Sequence, residues 1–256
     1  MSLRSSGWPT ATHASEENRS AQKVSTTALD FFLALSCLDR KEIRQGIWFR
    51  DGKRAGQGAF AYAEIYETRE RELVAVKRSL KLHDSLWEFQ EQELAQHFTE
   101  FCLELRILIH PSLRTHENII DLRGILEEDR SGIPSLSLVL EYGDCGSLNH
   151  FLQQNPIEKE ELVLDCVFQL ASGFEALHNL GVCHGDVKTQ NVLVVSNGDR
   201  WVYKICDFGH AVVSSKIGGE SVPFPRGTAI YNAPELKDCD RSPSPRRNCY
   251  AMLLPS

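Results

Sequence analysis

Three short oxygen-bearing side chains, Asp186, Asn191 and Asp207, fall at intervals of 5 and 16 within the stretch Cys183 to Gly209. The apolar runs Val192 to Val195 and Trp201 to Cys206 flank Ser196-Asn197-Gly198-Asp199, a turn sequence between two strand sequences. Closing that hairpin brings Asn191 and Asp207 together. One carboxylate and one amide oxygen suit a hard divalent cation such as magnesium, which keeps waters and grips phosphates. Asp186 is then left to accept a proton.

The two ends of this stretch, His184-Gly185-Asp186-Val187-Lys188-Thr189-Gln190-Asn191 and Asp207-Phe208-Gly209, resemble the catalytic loop and metal-binding Asp-Phe-Gly of the protein kinases. Gly185 stands where the family signature has arginine, and Val187 replaces its leucine. The resemblance implies a two-lobed α+β fold: a five-stranded antiparallel sheet with one helix in the small lobe, and a mostly helical large lobe. It also implies ATP and Mg2+ as cofactors.

Other stretches carry the same resemblance in the same order. Gly56-Gln57-Gly58 lies between strand-like runs, where absent side chains let backbone N–H groups approach phosphate oxygens. Lys77 ends Val74-Ala75-Val76-Lys77, similar to the family's Val-Ala-Ile-Lys. Ala61 and Ala63 replace the loop's third glycine and its valine. Phe98, Phe101, Leu105 and Leu108 recur at helical spacing from about Leu94 to Ile109, with Glu104 among them. A carboxylate on a packed face needs a cation, and Lys77 is the candidate. The resemblance selects the same pair.

Glu141-Tyr142-Gly143-Asp144-Cys145-Gly146 resembles the hinge between lobes, with backbone groups of Glu141 and Gly143 meeting adenine. Cys145 carries no feature that would activate a thiol. Ser147 caps a short helix to Gln154, and a longer helix follows from Glu158 to Asn179. Val163, Cys166, Val167, Leu170, Phe174 and Leu177 form its apolar stripe. His184 is read as orienting backbone rather than transferring protons. Gly227-Thr228 and Ala233-Pro234-Glu235 match the family's later boundary motif, and Lys188 resembles its serine/threonine group.

The chain thereby divides into a tail at 1–46, a small lobe at 47–140, a hinge at 141–146, a partial large lobe at 147–235 and an irregular tail at 236–256. Within the first tail, Thr27 to Leu38 reads as a short helix with Phe31, Leu35 and Leu38 on one side, a packing strap. Only 21 residues follow Glu235, and their proline-broken, polar character does not supply the next apolar helix. A C-terminally truncated large lobe is the expectation, with activity in question.

Composition sets outer limits. With 256 residues and 42% apolar content the chain is a globular protein of one large domain or two lobes. A net charge of -7 disfavours nucleic acid as a partner. Leu29 to Leu38 is too short to span a bilayer and lacks the flanks of a secretory signal. Eight cysteines without a Cys-x-x-Cys pair fit a reducing, intracellular and cytoplasmic setting. Oligomeric state leaves no mark.

The function that the resemblance implies is ATP-dependent transfer to a protein Ser or Thr hydroxyl. Gly56 and Gly58 would cover the phosphates, Lys77 held by Glu104 would orient them, and Asn191 and Asp207 would bind magnesium. Asp186 would accept the proton and Lys188 would neutralise transferring charge. A small-molecule phosphotransferase of the aminoglycoside-kinase type and a silent nucleotide-binding scaffold are the rivals. Gly185 also removes the arginine that in the family reads activation-loop phosphate, which implies weak dependence on phosphorylation of Ser214, Ser215 or Ser221.

Overall fold

The structure, a computed structural model, describes residues 43–45, 50–57, 61–79, 91–130, 133–155, 160–213 and 228. The first half forms a sheet: β1 (Ile43–Gln45), β2 (Arg50–Gln57), β3 (Ala61–Glu67), β4 (Leu73–Ser79), β5 (Leu122–Arg130) and β6 (Ile133–Glu141) in the order β1-β5-β6-β4-β3-β2. Five of these strands run antiparallel, as expected. Among the described residues the sheet has six strands rather than the expected five, because β1 pairs in parallel with β5 through Ile43↔Ile125 to Gln45↔Glu127. Its three residues, Ile-Arg-Gln, lie inside the stretch assigned to the first tail and show no alternation of their own. A distant partner, not local propensity, makes them a strand.

The strand at the glycine-bearing hairpin also differs from expectation. It runs Arg50–Gln57, a charged sequence that itself includes Gly56 and Gln57 of the glycine-bearing stretch. The expected strand Ile47 to Phe49, the 27–38 helix, Gly58, and everything from 229 onward, Ala233-Pro234-Glu235 included, lie outside the described residues.

Helix α1 (Glu91–Leu108) crosses beside the sheet and α2 (Pro111–Arg114) follows. Buried Leu105, Ile107 and Leu108 of α1 share one core with Leu122, Ile125, Leu138 and Leu140 of the sheet. After the sheet come α3 (Leu148–Gln154), α4 (Glu160–Asn179), β7 (Val182–Cys183), a 3-10 turn (Thr189–Asn191), β8 (Val192–Asn197), β9 (Arg200–Ile205) and β10 (Val212–Val213). Ser147 Oγ accepts the His150 N–H at 3.3 Å, which caps α3. Helix α4 stops where Gly181 takes φ +71, its N–H donating to the His178 carbonyl at 2.9 Å.

Four of the six residues of the stripe expected on α4 are buried. Cys166, Leu170, Phe174 and Leu177 are buried, but Val163 and Val167 are exposed, together with Leu164 and Phe168, the last at 70%. Helical spacing gives the faces of α4 but not which of two apolar faces is covered. Among the described residues, no helix is long and apolar enough to cross a membrane.

The segment 118–120 locks the two halves at β9. Ile205 N–H donates to Asn118 O (2.9 Å), Ile120 N–H donates to Ile205 O (3.0 Å), and the Asn118 amide donates to Tyr203 O (3.1 Å). Gly173 lets α4 come close, since a Cβ there would stand 2.8 Å from Ile205 Cδ1 and 3.0 Å from Asn118 O. The strand that delivers Asp207 is thus held from both sides.

Candidate active site

The hairpin β8–β9 pairs from Val192↔Ile205 to Asn197↔Arg200, closed by Gly198 at φ +63. At its open end Cys206 N–H donates to Asn191 O at 3.0 Å, so Asn191 and Asp207 flank the same ladder rung. Asp207 itself takes φ 66, a left-handed conformation rare outside glycine that turns its carboxylate away from the strand course.

That turn aims Asp207 at Lys77. Lys77 Nζ donates to both Glu104 oxygens at 2.7 Å and to Asp207 Oδ1 at 2.7 Å. Strand β4 supplies the ammonium, α1 the buried Glu104 and the hairpin Asp207. Two carboxylates therefore share one cation. Burial opposes the charge on Lys77, but Asp207 and Glu104 together hold its pKa well above the ordinary lysine value. The ammonium also holds Asp207 well below the usual carboxylate range. Burial, and then the nearby Asp207 charge, push Glu104 upward against the pull of Lys77.

A second cluster surrounds Asp186. Lys188 Nζ donates to Oδ2 at 2.6 Å, while the Thr228 N–H and hydroxyl both donate to Oδ1 at 2.8 Å. Lys188 Nζ also reaches Thr228 Oγ1 at 3.0 Å. The Asn191 amide donates to Asp186 O at 2.8 Å and Oδ2 at 3.0 Å, which turns its carbonyl oxygen the other way. Burial would raise the Asp186 pKa, but Lys188 and Thr228 outweigh it and hold the carboxyl below its ordinary value.

His184 connects the clusters. Asp186 N–H donates to its Nδ1 at 3.3 Å, which leaves Nε2–H to donate to Cys206 O at 3.0 Å. Its ring packs against Phe208 at 5.2 Å and Phe174 at 6.3 Å. Burial lowers its pKa, so the neutral ring is a backbone brace between the 184–191 segment and the hairpin.

Between β6 and α3, Glu141 donates its N–H to Asp121 O at 3.0 Å, and its carboxylate pairs with Lys204 at 3.1 Å. Gly143 O accepts from Gly146 N–H at 3.0 Å, and a Cβ on Gly143 would press on Leu193 Cβ at 3.0 Å. Gly56 pairs with Ala63 one residue before the end of β2. The Glu141–Lys204 pair was not legible from sequence, because its partners lie far apart in the chain. Gly185 had a readable signal in its departure from the family letter, but its contact partner, the His210 backbone, did not.

The site thus sets a strand-borne lysine paired with a helix carboxylate beside an Asp-Phe-Gly turn and a lysine-braced aspartate. The family model "Protein kinase domain" matches residues 49–251, and the chain belongs to that family, with its two-lobed fold. A probable serine/threonine-protein kinase of Saccharomyces cerevisiae is 34% identical over 54% of this chain and 40% of its own length. Mitogen-activated protein kinase kinase kinase 2 of Arabidopsis thaliana is 30% identical over 76% and 28%. A probable myosin light chain kinase of Dictyostelium discoideum is 29% identical over 72% and 48%. The chain spans less than half the length of each of these relatives.

Proposed function

We propose that the chain transfers the γ-phosphoryl group of ATP to a Ser or Thr hydroxyl of a protein. The observation that carries this reading is the Lys77 ammonium held between Glu104 and Asp207. That arrangement presents a fixed positive charge to nucleotide phosphates. Backbone groups of Glu141 and Gly143 receive adenine, and Gly56 with Gly58 cover the phosphates. The relatives' printed names as serine/threonine and mitogen-activated kinase kinase kinases support a protein hydroxyl as acceptor.

Asp207, held ionised, and the Asn191 carbonyl form a hard oxygen donor set that fits magnesium. Bound there, the cation would neutralise charge on the phosphates. Asp186 orients the acceptor hydroxyl and takes its proton. Lys188, 2.6 Å from Asp186, balances charge on the transferring group. Thr228 ties the peptide-facing segment to Asp186.

Thermal melting of the purified chain with and without magnesium and ATP tests the site, because a ligand bound only to the folded state raises the melting temperature by mass action. The expected result is an upward shift that Asp207→Ala abolishes, accompanied by labelling of a protein Ser or Thr from γ-labelled ATP. A shift retained in Asp207→Ala, or none at all, would overturn the reading.

A further inference from the structure

Strand β9 pairs with β8 along one edge, and among the described residues its other edge meets one bridging residue, Ile119, opposite Ile205. Beyond that bridge, at Tyr203 and Trp201, the described residues put no strand. Tyr203 is 0% exposed, and buried peptide groups need partners. Side-chain amides supply them. Gln169 Oε1 accepts the Tyr203 N–H at 3.0 Å, and Gln169 Nε2 donates to Trp201 O at 3.0 Å. A residue of a neighbouring strand would offer the same pair, one acceptor and one donor. Next along the edge the Asn118 amide donates to Tyr203 O at 3.1 Å, and the backbone of 118–120 closes Ile205. The edge is capped group by group from Trp201 O to Ile205 O.

The Gln169 amide has a single orientation. Its Oε1 also accepts from Asn118 Nδ2 at 3.0 Å, and its Nε2 also donates to Asp165 Oδ2 at 2.8 Å. Reversed, it would set nitrogen against two donors and oxygen against two acceptors. Asp165, Gln169 and Gly173 recur every four residues and so share one side of α4. Gly173 is where the helix stands too close to Ile205 and Asn118 for a Cβ to fit. One turn earlier, that close approach brings Gln169 within reach of β9.

We infer that Gln169 is a positioning residue for Asp207, fixing through its side-chain amide where β9 delivers that carboxylate. The turn Asn197-Gly198-Asp199-Arg200 sets β9 against β8 but not against α4. Gln169 grips β9 at Trp201 and Tyr203, upstream of the Asp207 that meets Lys77 at 2.7 Å. On either side of Asp207, Cys206 N–H donates to Asn191 O at 3.0 Å and Phe208 N–H to Glu104 Oε1 at 3.4 Å. Both bonds depend on where β9 ends. The effect on phosphoryl transfer rests on the function proposed above; the hold on β9 stands without it.

Gln169→Glu and Gln169→Met separate the amide's bonds from its bulk. Glutamate keeps the shape but turns an oxygen toward Trp201 O and Asp165. Methionine keeps the length and the helix preference and drops every bond. Hydrogen exchange without ligand is the first readout. In both variants the Cys206 and Phe208 amides, which lie beyond Gln169's own bonds, should exchange at least tenfold faster than in the unaltered chain, with β5 and β6 amides within about twofold. Faster exchange confined to Tyr203 would overturn the inference, as would an equal loss throughout the chain. The methionine variant decides if the glutamate variant misfolds.

Phosphoryl transfer to dephosphorylated casein is the second readout. In Gln169→Met the magnesium concentration for half-maximal rate should rise at least fivefold, with KM for casein within about twofold. A residue that serves stability alone would lower the amount of active chain and leave that concentration unchanged, and this result too would overturn the inference. If the unaltered chain transfers no phosphoryl group, the function proposed above fails, and exchange at Cys206 and Phe208 decides the role of Gln169 by itself.

Discussion

A Cβ on Gly185 would stand 2.1 Å from the His210 carbonyl oxygen, and Gly185 itself holds φ +83. The departure from the family's arginine is therefore built into the backbone. Gly185→Arg should not restore a family function; the left-handed φ alone costs about 1–2 kcal/mol, and the carbonyl must also move. Expected outcomes are a lower melting temperature and at least a tenfold loss of phosphoryl transfer. Phosphatase treatment of the unaltered protein should leave its activity within about twofold, and abolition would show that a phosphate is read by other means.

Lys77 and its two carboxylates should respond unequally to substitution. Glu104→Gln leaves the ammonium with Asp207, so transfer falls at least tenfold while the fold holds. Lys77→Met strands both carboxylates. A wholly buried pair broken in this way loses about 3–5 kcal/mol. Here the loss should be nearer 1–3 kcal/mol, since Asp207 keeps 39% of its side chain exposed. Denaturant melts of the two variants compare them directly.

His184 sets a pH dependence. Burial lowers its folded pKa below the unfolded value of about 6.5. Between the two values the unfolded chain binds more protons, so stability rises with pH there. The contribution is complete above about 6.5 and is lost as pH falls toward the folded value. Melting temperature should hold level above about pH 7 and drop from 6.5 to 5. His184→Gln should flatten part of that drop, with His110 and His178, also lowered by burial, supplying the rest.

Asp186→Asn should lower kcat by about 10²–10⁴ with KM for ATP little changed, as expected for loss of a proton acceptor. Lys188→Ala removes the first of the groups that offset burial at Asp186. The acid limb of its kcat profile should move to higher pH, a readout that a purely structural role would not move.

Local order was the legible part. The β8–β9 turn at Asn197-Gly198 and the Ser147 cap announce themselves in neighbouring residues, and so did the helix bearing Glu104. What escaped was set by distant partners. Ile43–Gln45 becomes a strand only because Ile125–Glu127 lies beside it. Val163 and Val167 have the right spacing for burial yet face outward, because spacing fixes an angle around α4 and not what stands opposite. The letter at Gly185 could be read, but the His210 carbonyl that forbids a side chain there could not.

The bond between Lys77 and Asp207 joins residues 130 positions apart. Hairpins such as β3–β4 and β8–β9 close in about 1–10 μs. Bringing their open ends together demands a larger entropic outlay before any contact repays it. The charge cluster therefore forms only once the strands and the helix that carry its three members have met. A compact chain with every hairpin formed but Lys77 still apart from Asp207 would carry nearly all the secondary structure and none of the chemistry.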